Sequence, residues 1–311
     1  MTAIIILNWN GADDTISCLN SFSSVTGNFF IVVTDNGSND DSTDRIKKYI
    51  DKSPLKIYLQ ELKSNYGFAK GNNMAISFAL KFCPDNFLLL NNDTEVTPSF
   101  LKNLIDFSTN NSNYRVLTPQ IRLYNSKDKI WNCGGSIIFG MRCYYFANKK
   151  IDSIPKTKKF LNISFITGCA LFFYSDVLSN DGKLFTERFF FGEEDFEFSL
   201  RMKRKKIDMA CVFNSVIYHK VGSAASKMDY FGKLYLHYLN RFINIRLNSN
   251  GFKFKFWRLV NMPFVLKHFY YNTKSISKTL SLWKKLKEDS IKKDRVSKDD
   301  FKSLVINKDY F

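Results

Sequence analysis

The chain of 311 residues lacks the features of several protein classes. It has six cysteines but no Cys-x-x-Cys spacing, which argues against a zinc site or a disulfide framework and favours buried free thiols in a reducing cytosol. No repeat period is visible, so we expect neither a solenoid nor a propeller. The chain also lacks a basic segment before its first apolar run and any apolar run of about 20 residues, so we expect neither a secretory signal nor a membrane span.

Positive charge is scarce in the first third of the chain and abundant afterwards. Residues 1–110 contain 9 Lys and Arg against 12 Asp and Glu, whereas residues 111–250 contain 22 against 11 and residues 251–311 contain 15 against 6. The formal net charge of +17 therefore arises in the last two thirds. A basic surface attracts polyanions such as nucleic acid, anionic lipid or phosphorylated substrates. Hydrophobic residues make up 45%, which is enough for a globular core and excludes a disordered chain.

Short apolar runs alternate with helix-length segments in the first 110 residues. The runs that predict strands are Ala3–Leu7, Phe29–Thr34, Lys56–Leu59 and Phe87–Leu90. Strands that alternate with helices at this spacing predict a parallel α/β sheet with helices on both faces. Ligands of such sheets bind beyond the carboxyl ends of the strands, so the residues that follow each strand are the candidates for a site.

Beyond residue 110 the pattern becomes less regular. It predicts strands or a hairpin at 116–123 and 136–146, strands at 163–174, 207–213 and 216–218, and a helix at 193–206. Residues 226–311 are mostly helical and basic in pattern, and Pro263 is expected to break one helix. We therefore predict one domain at residues 1–225, divided into halves 1–110 and 111–225, and a basic helical extension at 226–311.

Small polar residues follow the first two predicted strands. Asn8 and Asn10 follow the first, and Asp35 and Gly37 lie at the end of the second. Asp35 could accept a hydrogen bond from a nucleotide base or ribose. The alternative is an ordinary turn before the next helix.

A segment rich in glycine and amide side chains precedes the third predicted helix. It contains Asn65, Gly67, Lys70 and Asn73, a composition that suits backbone approach to a nucleotide or its diphosphate. The spacing is neither a dinucleotide fingerprint nor a P-loop, so this segment alone is a weak indication.

Two further positions have the chemistry of a divalent-cation site. Asn92 and Asp93 follow the fourth strand, where a carboxylate could hold such an ion, although an Asx turn would explain them as well. His219 ends a short strand before a glycine and is one of only three histidines in the chain. A lone histidine is more often structural, but one at a strand end could complete a metal site.

The densest group of acids is Glu193–Asp195, which follows three phenylalanines and a glycine. Mutual repulsion beside an apolar surface is expected to raise the pKa of at least one carboxyl group toward the range of a general base. Acidic residues at a helix N-terminus are the alternative explanation, but it accounts for only one or two of them.

Taken in order, these segments resemble the family 2 glycosyltransferases, which are inverting enzymes of the GT-A fold, and most closely the branch of bacterial rhamnosyltransferases and galactofuranosyltransferases. The match runs from residue 4 to about 223, through Ile4–Gly11, Val32–Ser42, Asn65–Asn73, Leu88–Glu95, Gly168–Phe173, Phe189–Arg201 and His219–Ser223. The resemblance implies an α/β fold with a Rossmann-like mixed sheet, mostly parallel and flanked by helices. It implies transfer of a sugar from a UDP- or dTDP-linked donor to a hydroxyl of a glycan or lipid-linked acceptor in surface polysaccharide synthesis.

The same resemblance implies roles for individual residues. Residues 1–110 become the nucleotide-binding half, and the donor-binding residues are Asn8, Asn10, Asp35, Gly37, Asn65, Gly67, Lys70, Asn73, Asn92 and Asp93. Asn91-Asn92-Asp93 stands in place of the family's Asp-x-Asp, so Asp93 becomes the main carboxylate ligand of Mg²⁺ or Mn²⁺, with His219 as a second ligand. The substitution of the first acid by Asn is expected to weaken metal binding.

In the acceptor-binding half at 111–225, Asp195 matches the catalytic base, next to Glu194. Gly168 and Arg201 are implied as support for the acceptor side, with Arg201 a structural or charge partner. No Gln-x-x-Arg-Trp motif follows, so a processive polysaccharide synthase is not supported.

Two other functions fit the sequence less well. A nucleotidyltransferase that makes nucleotide sugars needs a Gly-rich loop with Lys or Arg after the first strand, and none is present there. A nucleic-acid-binding protein is suggested by the charge, but the basic residues avoid the first 110 residues and form no known motif, so we expect no nucleic-acid partner.

Aromatic and basic residues interleave at 251–271. This pattern favours peripheral attachment to an anionic membrane surface, on the inner face of the cytoplasmic membrane, where a lipid-linked acceptor would be reached. The alternative is a helix packed on the catalytic domain with a solvated basic face.

Overall fold

A computed structural model describes residues 1–221 and 229–310 of the chain. In these residues the strands are β1 (Thr2–Asn8), β2 (Phe29–Asp35), β3 (Ile57–Glu61), β4 (Asn86–Asn91), β5 (Thr94–Val96), β6 (Tyr114–Leu123), β7 (Ser126–Asn132), β8 (Gly135–Ile138), β9 (Met141–Tyr144), β10 (Phe160–Ile163), β11 (Ala170–Tyr174) and β12 (Asp208–His219). The α-helices are α1 (Ala12–Ser21), α2 (Ser42–Ile50), α3 (Phe68–Ala79), α4 (Phe100–Asn110), α5 (Glu194–Arg204), α6 (Tyr230–Asn248), α7 (Gly251–Thr273), α8 (Ile276–Lys292) and α9 (Lys298–Phe301).

Ten of the described strands form one mixed sheet, with the order β10-β12-β6-β11-β4-β1-β2-β3 and with β5 and β7 paired to β12 and β6. The strands β4, β1, β2 and β3 are parallel, which confirms the parallel sheet expected for the first 110 residues. β11 is antiparallel to both β4 and β6. The β8–β9 hairpin stands apart from the sheet. The fold is thus the mixed, helix-flanked α/β architecture that the resemblance implied.

Burial on both faces explains the continuous apolar strands. In β1, Ile5 lies in a core cluster with residues of α3 and α5, whereas Ile4 lies in the opposite cluster with residues of α1 and α4. Successive side chains of a strand point to opposite faces, so a strand covered by helices on both sides must be apolar at every position. The parallel strands therefore end together at one edge, where their polar residues begin.

Three elements differ from the pattern-based expectation. The two short strands at 207–213 and 216–218 form one strand, β12, whose register against β6 shifts between Val212 and Val216. The apolar segment at 163–174 contains the end of β10, a connection and β11, and Gly168 lies in the connection. Pro263 does not break a helix, because it lies inside α7. It is exposed, so water can bind the carbonyl group that loses its helical partner.

The C-terminal helices α6 to α9 pack on the part of the chain that precedes them. One core cluster joins Phe189 and Phe196 to residues of α6, α7, α8 and α9. Among the described residues, no helix has the length and hydrophobicity needed to cross a bilayer. The expected division at residue 225 falls outside the described residues, and so do Gly222 and Ser223 of the motif after His219. All six cysteines are free thiols, as expected, but Cys83 and Cys143 are exposed rather than buried.

Candidate active site

A polar network lies at the carboxyl ends of β1, β2 and β4. Asn8 is fully buried and donates from Nδ2 to Asp35 Oδ2 at 2.8 Å, while its Oδ1 accepts from Thr15 Oγ1 at 2.8 Å. Asn92 donates from Nδ2 to the same Thr15 hydroxyl at 3.0 Å. Three predicted donor-binding residues, Asn8, Asp35 and Asn92, are therefore brought together through Thr15.

Asp35 is only 2% exposed. Its carboxylate accepts from Asn8 and from the backbone N–H and hydroxyl of Ser38 at 2.9 and 2.7 Å. These three donors fix the turn after β2 and leave limited acceptor capacity for a ligand. Contact between Asp35 and a nucleotide stays a prediction.

The turns after β1 and β2 are joined by hydrogen bonds. Asn10 exchanges two hydrogen bonds with Asn39 at 2.7 and 3.0 Å. Gly37 has φ of +71°, and a Cβ at that position would lie 2.4 Å from the Ser64 backbone. A glycine is therefore required there by both conformation and space.

The entry to α3 meets the loop before α5. Gly67 has φ of +84°, and its hypothetical Cβ would lie 2.2 Å from the Phe190 carbonyl oxygen. The next residue, Phe68, donates its N–H to that carbonyl at 3.2 Å. Asn65 Oδ1 accepts from the Gly67 N–H at 2.8 Å and so shapes the turn. The glycine thus allows the predicted donor and acceptor sides to touch.

Asn73 and Lys70 do not join the network of the strand ends. Asn73 is buried; its Oδ1 accepts from the N–H groups of Leu184 and Phe185, and its Nδ2 donates to the Phe185 carbonyl and to Glu187. All its hydrogen-bonding groups are thus used within the protein. The donor-binding role expected for Asn73 stays a prediction. Lys70 is exposed and lies over the Tyr66 ring, 4.8 Å from its centroid.

Asp93 and His219 lie together beyond β4 and β12. Asp93 Oδ1 is 3.1 Å from His219 Nε2, and the imidazole ring packs edge-on against Trp131 at 4.4 Å. Burial disfavours the charged ring, but the neighbouring Cys169 and Asp93 raise the pKa of His219 to about 10. The ring of His219 therefore favours its charged form at neutral pH, and a bound cation would replace the imidazolium proton.

These two side chains fit a divalent cation shared with a substrate. Asp93 Oδ1 is buried without a hydrogen bond of good geometry. Nowhere in the described part of the chain do three Asp, Glu, His or Cys side chains converge so that they could hold an ion. The protein therefore offers two ligands, and phosphate oxygens and water would have to supply the rest, as is usual for Mg²⁺.

Glu193 is the centre of a buried charge cluster at the start of α5. It has a left-handed backbone, with φ of +71°. Its carboxylate binds Arg142 at 3.0 Å, Arg241 through Nη2 at 3.0 Å and His237 at 3.0 Å. Burial alone would raise the pKa of Glu193, but Arg142 and Arg241, together with the contact to His237, hold it well below the usual range. Because Arg241 and His237 belong to α6, the C-terminal helices form part of this cluster.

The next two carboxyl groups have contrasting surroundings. Asp195 Oδ1 accepts from Arg142 at 2.7 Å. Glu194 Oε2 is buried without a partner, so burial and the neighbouring Asp195 raise the pKa of Glu194 to about 8. Burial also raises the pKa of Asp195, but Arg142 opposes that shift. The contact with Arg142 therefore favours the charged form of Asp195, whereas Glu194 lacks such a contact and its burial favours the protonated form.

Arg201 is not the charge partner of Asp195. It contacts Glu197 at 3.5 Å and donates to the Leu184 carbonyl, so it ties α5 to the segment that precedes it. Gly168 is buried, and a Cβ there would lie 3.1 Å from the Phe68 ring. Both residues thus contact the surrounding structure. For Arg201 this agrees with the structural role that was one of its two expected roles.

A short connection places Asp195 near the strand ends. Ile166 donates its N–H to Ser199, one turn after Asp195, and Cys169 accepts from the Asn91 N–H at the end of β4. Because Ile166 and Cys169 are three residues apart, the chain between them spans at most about 11 Å. This connection therefore ties the second turn of α5 to the end of β4.

No pattern in the sequence indicated Arg142 or Arg241. Arg142 lies 53 residues before Asp195, on a hairpin, and Arg241 lies 48 residues after Glu193. Only the three-dimensional packing brings them together. Glu193 itself was part of the acidic motif, and its position after Gly192 is the signal that could have suggested a special conformation.

Comparison with known proteins identifies a family. The family described as Glycosyl transferase family 2 matches residues 3–181, more than half of the chain. No curated protein sequence matches.

Several solved structures share the fold at low sequence identity. TarS (residues 1–349) from S. aureus has a TM-score of 0.60 at 17% identity and covers 99% of this chain and 84% of its own. GalNAc-T7 with UDP, GalNAc and Mn²⁺ has a TM-score of 0.63 at 13% identity, and the mannosyltransferase PcManGT from Pyrobaculum calidifontis with GDP-Man and Mn²⁺ has 0.55 at 14%. These two cover 97% and 80% of this chain, which spans 56% and 65% of their respective lengths.

Proposed function

The chain belongs to glycosyl transferase family 2 and is a glycosyltransferase, and from this premise we propose that it moves a sugar from a nucleoside-diphosphate sugar to a hydroxyl group with inversion at the anomeric carbon. The donor is UDP- or dTDP-linked, the sugar is rhamnose or a similar hexose, and the acceptor is a glycan or lipid-linked glycan of a surface polysaccharide. The neighbours described with UDP, with GDP-Man and with Mn²⁺ support a nucleotide-sugar donor.

The contact between Arg142 and Asp195, whose atoms lie 2.7 Å apart, carries the proposal. A general base must be ionised and close to the acceptor hydroxyl, and Arg142 favours the ionised form of Asp195. Asp195 takes the proton of the acceptor hydroxyl while the hydroxyl oxygen forms a bond to the anomeric carbon. The bond from that carbon to the diphosphate oxygen breaks in the same step, and the nucleoside diphosphate leaves on the opposite face. Glu194 stays protonated beside the base.

Asp93 and His219 are proposed as the ligands of Mg²⁺ or Mn²⁺. A bound cation of this kind neutralises charge on the leaving diphosphate. Asn8, Asn92 and Asp35 hold the strand-end turns against which the nucleotide would lie, with Asn10, Gly37, Asn65 and Gly67 shaping those turns and Lys70 at their margin.

The first test is turnover of nucleotide sugars by the purified protein. A panel of UDP-, dTDP- and GDP-linked sugars with Mn²⁺ should yield release of one nucleoside diphosphate. Asp195→Asn should lower kcat by ~10²–10⁴, the usual contribution of a general base. Glu194→Gln is the matched control, because it replaces a protonated group by a neutral isostere, and it should keep most of the activity. Near-normal turnover by Asp195→Asn would remove Asp195 from this role.

A second test concerns the metal. Calorimetric titration with UDP and GDP should show tighter binding in Mn²⁺ than in EDTA for the wild type, and Asp93→Ala should abolish that difference because the carboxylate ligand is lost. Asp106→Ala, at an exposed carboxylate of α4, is the control and should behave as wild type. An undiminished effect of Mn²⁺ in Asp93→Ala would contradict the assignment.

The basic C-terminal helices are proposed to hold the protein at the inner face of a membrane that contains anionic lipid. Residues 251–311 contain 15 Lys and Arg against 6 Asp and Glu. Such a surface gains electrostatic energy near anionic headgroups.

A further inference from the structure

One face of α7 is apolar and exposed. Phe252, Phe256, Leu259, Val260 and Phe264 are between 45% and 80% exposed. We call these five residues the α7 stripe. Their spacing of three and four residues sets them on one side of the helix, while Phe254, Val265 and Phe269 on the other side are buried in the core. An apolar face of this size without a partner in the protein indicates an interaction surface.

The charges of α7 favour a bilayer as the partner. The helix contains Lys253, Lys255, Arg258 and Lys267 and no acidic residue. Long basic side chains beside an apolar stripe can place their methylene groups on lipid and their charges among anionic headgroups. A second copy of the chain would instead bring the same cations to the same surface, and like charges repel.

The tip of the β8–β9 hairpin extends this surface. Ile138, Phe139 and Met141 are 52%, 78% and 40% exposed. Trp257 of α7 donates from Nε1 to the Phe139 carbonyl at 2.7 Å, which fixes the hairpin tip against the helix. The stripe and the tip therefore belong to one rigid apolar surface.

A cleft of about 230 Å³ lies between the hairpin, α6 and α7. Its polar lining includes Arg142, His237, Tyr238 and His268, and its apolar lining includes Tyr144, Trp257 and Phe264. Aromatic faces with a few hydrogen-bonding groups suit a sugar ring, which has apolar C–H faces and hydroxyl edges. Arg142 also donates to Asp195, so the cleft adjoins the proposed base.

We propose that the α7 stripe and the hairpin tip rest in an anionic bilayer, and that the cleft takes the glycan head of a lipid-borne acceptor and guides its hydroxyl to Asp195. This inference rests on the proposed sugar transfer. It assigns the acceptor to one route, from the membrane surface, past Phe264 and Tyr144, to Arg142.

Flotation with vesicles tests the membrane surface. The full chain should float with phosphatidylglycerol–phosphatidylcholine vesicles at low salt and only weakly with phosphatidylcholine alone. Phe252→Ser with Phe256→Ser, and separately Phe139→Ser, should reduce the bound fraction at least tenfold. Leu80→Ser, which removes an apolar side chain that is 36% exposed in the N-terminal half, should float as wild type.

Equal flotation of these variants and the wild type would overturn the membrane surface. So would a wild type that does not float but sediments as a dimer that the same substitutions dissociate. Release of nucleoside diphosphate to water as acceptor should be unchanged in the stripe variants, because they do not touch the donor site. A wild type that turns over no nucleotide sugar therefore contradicts the proposed function. The flotation result still tests the membrane surface independently of that outcome.

Alkyl glycosides below their micelle concentration test the cleft. Octyl rhamnoside, octyl galactoside and octyl glucoside supply a sugar head on a short chain, and binding can be followed by saturation-transfer NMR. At least one should bind the wild type, and Tyr144→Ala and His268→Ala, both at exposed positions, should weaken it at least tenfold, unlike Leu80→Ser. Absence of binding, unchanged binding in both variants, or equal binding of octanol would overturn the acceptor cleft.

Discussion

At the scale of single residues, Arg142 favours the charged form of one of two adjacent carboxyl groups. It lies 2.7 Å from Asp195, whereas Glu194 Oε2 has no partner. A single opposite charge at that distance commonly lowers the pKa of a carboxyl group by 1–3 units. The same guanidinium also binds Glu193, which therefore holds it in place.

Loss of Arg142 should shift the pH dependence of the reaction. In Arg142→Met the pKa of Asp195 rises because its counter-charge is gone, so the acidic limb of the profile of kcat/KM should move up by ~1–3 pH units. Activity lost at low pH should return as pH rises through the new pKa. The measurement is kcat/KM for the best nucleotide sugar between pH 5 and 9.

Arg115→Met is the matched control for this shift. Arg115 pairs with Asp176 at 3.0 Å on an exposed surface, and its loss should leave the profile unchanged. In Arg142→Lys the acidic limb of the profile should move up by less than in Arg142→Met, because a positive charge remains although the guanidinium geometry is lost. A profile of Arg142→Met that coincides with the wild type would show that Arg142 does not set the ionisation of the base.

At the scale of elements, the sequence predicts those strands and helices whose formation depends on the local pattern of apolar residues. Strands β1, β2 and β4 were expected from continuous apolar runs, because a strand covered on both faces has no polar position. The polar residues at their ends were found for the same reason. The bulge in β12 and the helix that continues through Pro263 depend on packing and solvent exposure, so the local pattern gave the wrong element boundaries.

The candidate site was predictable only in part. Asp93 and His219 were named from separate strand ends, and the structure brings them to 3.1 Å. The role of Asn73 stays a prediction, because an amide at a helix entry gives no indication whether it faces a ligand or a neighbouring loop, and here it bonds to the segment at 184–187. Arg142 and Arg241 could not be found, since their partner is more than 45 residues away and no motif marks them.

The contact between the α3 entry and the loop before α5 makes a prediction about stability. In Gly67→Ala the backbone conformation with φ of +84° and ψ of 175°, which is almost exclusive to glycine, costs about 1–3 kcal/mol, and the new Cβ would have to move the Phe190 carbonyl. The free energy of unfolding in urea should therefore fall by at least that amount. Gly251→Ala, at the start of α7 with nothing within 4 Å of its hypothetical Cβ, should change it by less than about 1 kcal/mol. Equal stability of the two variants would mean that the two loops are not in contact.

At the scale of the whole molecule, the C-terminal helices are part of the catalytic structure. Asn240 donates to the carbonyls of Phe191 and Gly192, and Asn244 donates to that of Glu193. Val296 exchanges backbone hydrogen bonds with the segment at 188–190 at 2.8 and 2.9 Å. The basic extension therefore both carries the proposed membrane surface and holds the loop that leads into α5, the helix that carries the proposed base.

This arrangement predicts that both parts of the chain unfold together. Two of the four tryptophans, Trp9 and Trp131, precede the C-terminal helices, and the other two, Trp257 and Trp283, lie within them. After Trp9→Phe and Trp131→Phe, fluorescence reports the helices alone, and its midpoint in urea should coincide with the midpoint of loss of the sheet followed by circular dichroism. The complementary variant with Trp257→Phe and Trp283→Phe should give the same midpoint, because shared core packing makes the transition cooperative. If the fluorescence of Trp257 and Trp283 instead changed at lower urea while the signal of Trp9 and Trp131 persisted, the helices would be an independent appendage, and the buried cluster around Glu193 could not be what joins them to the site.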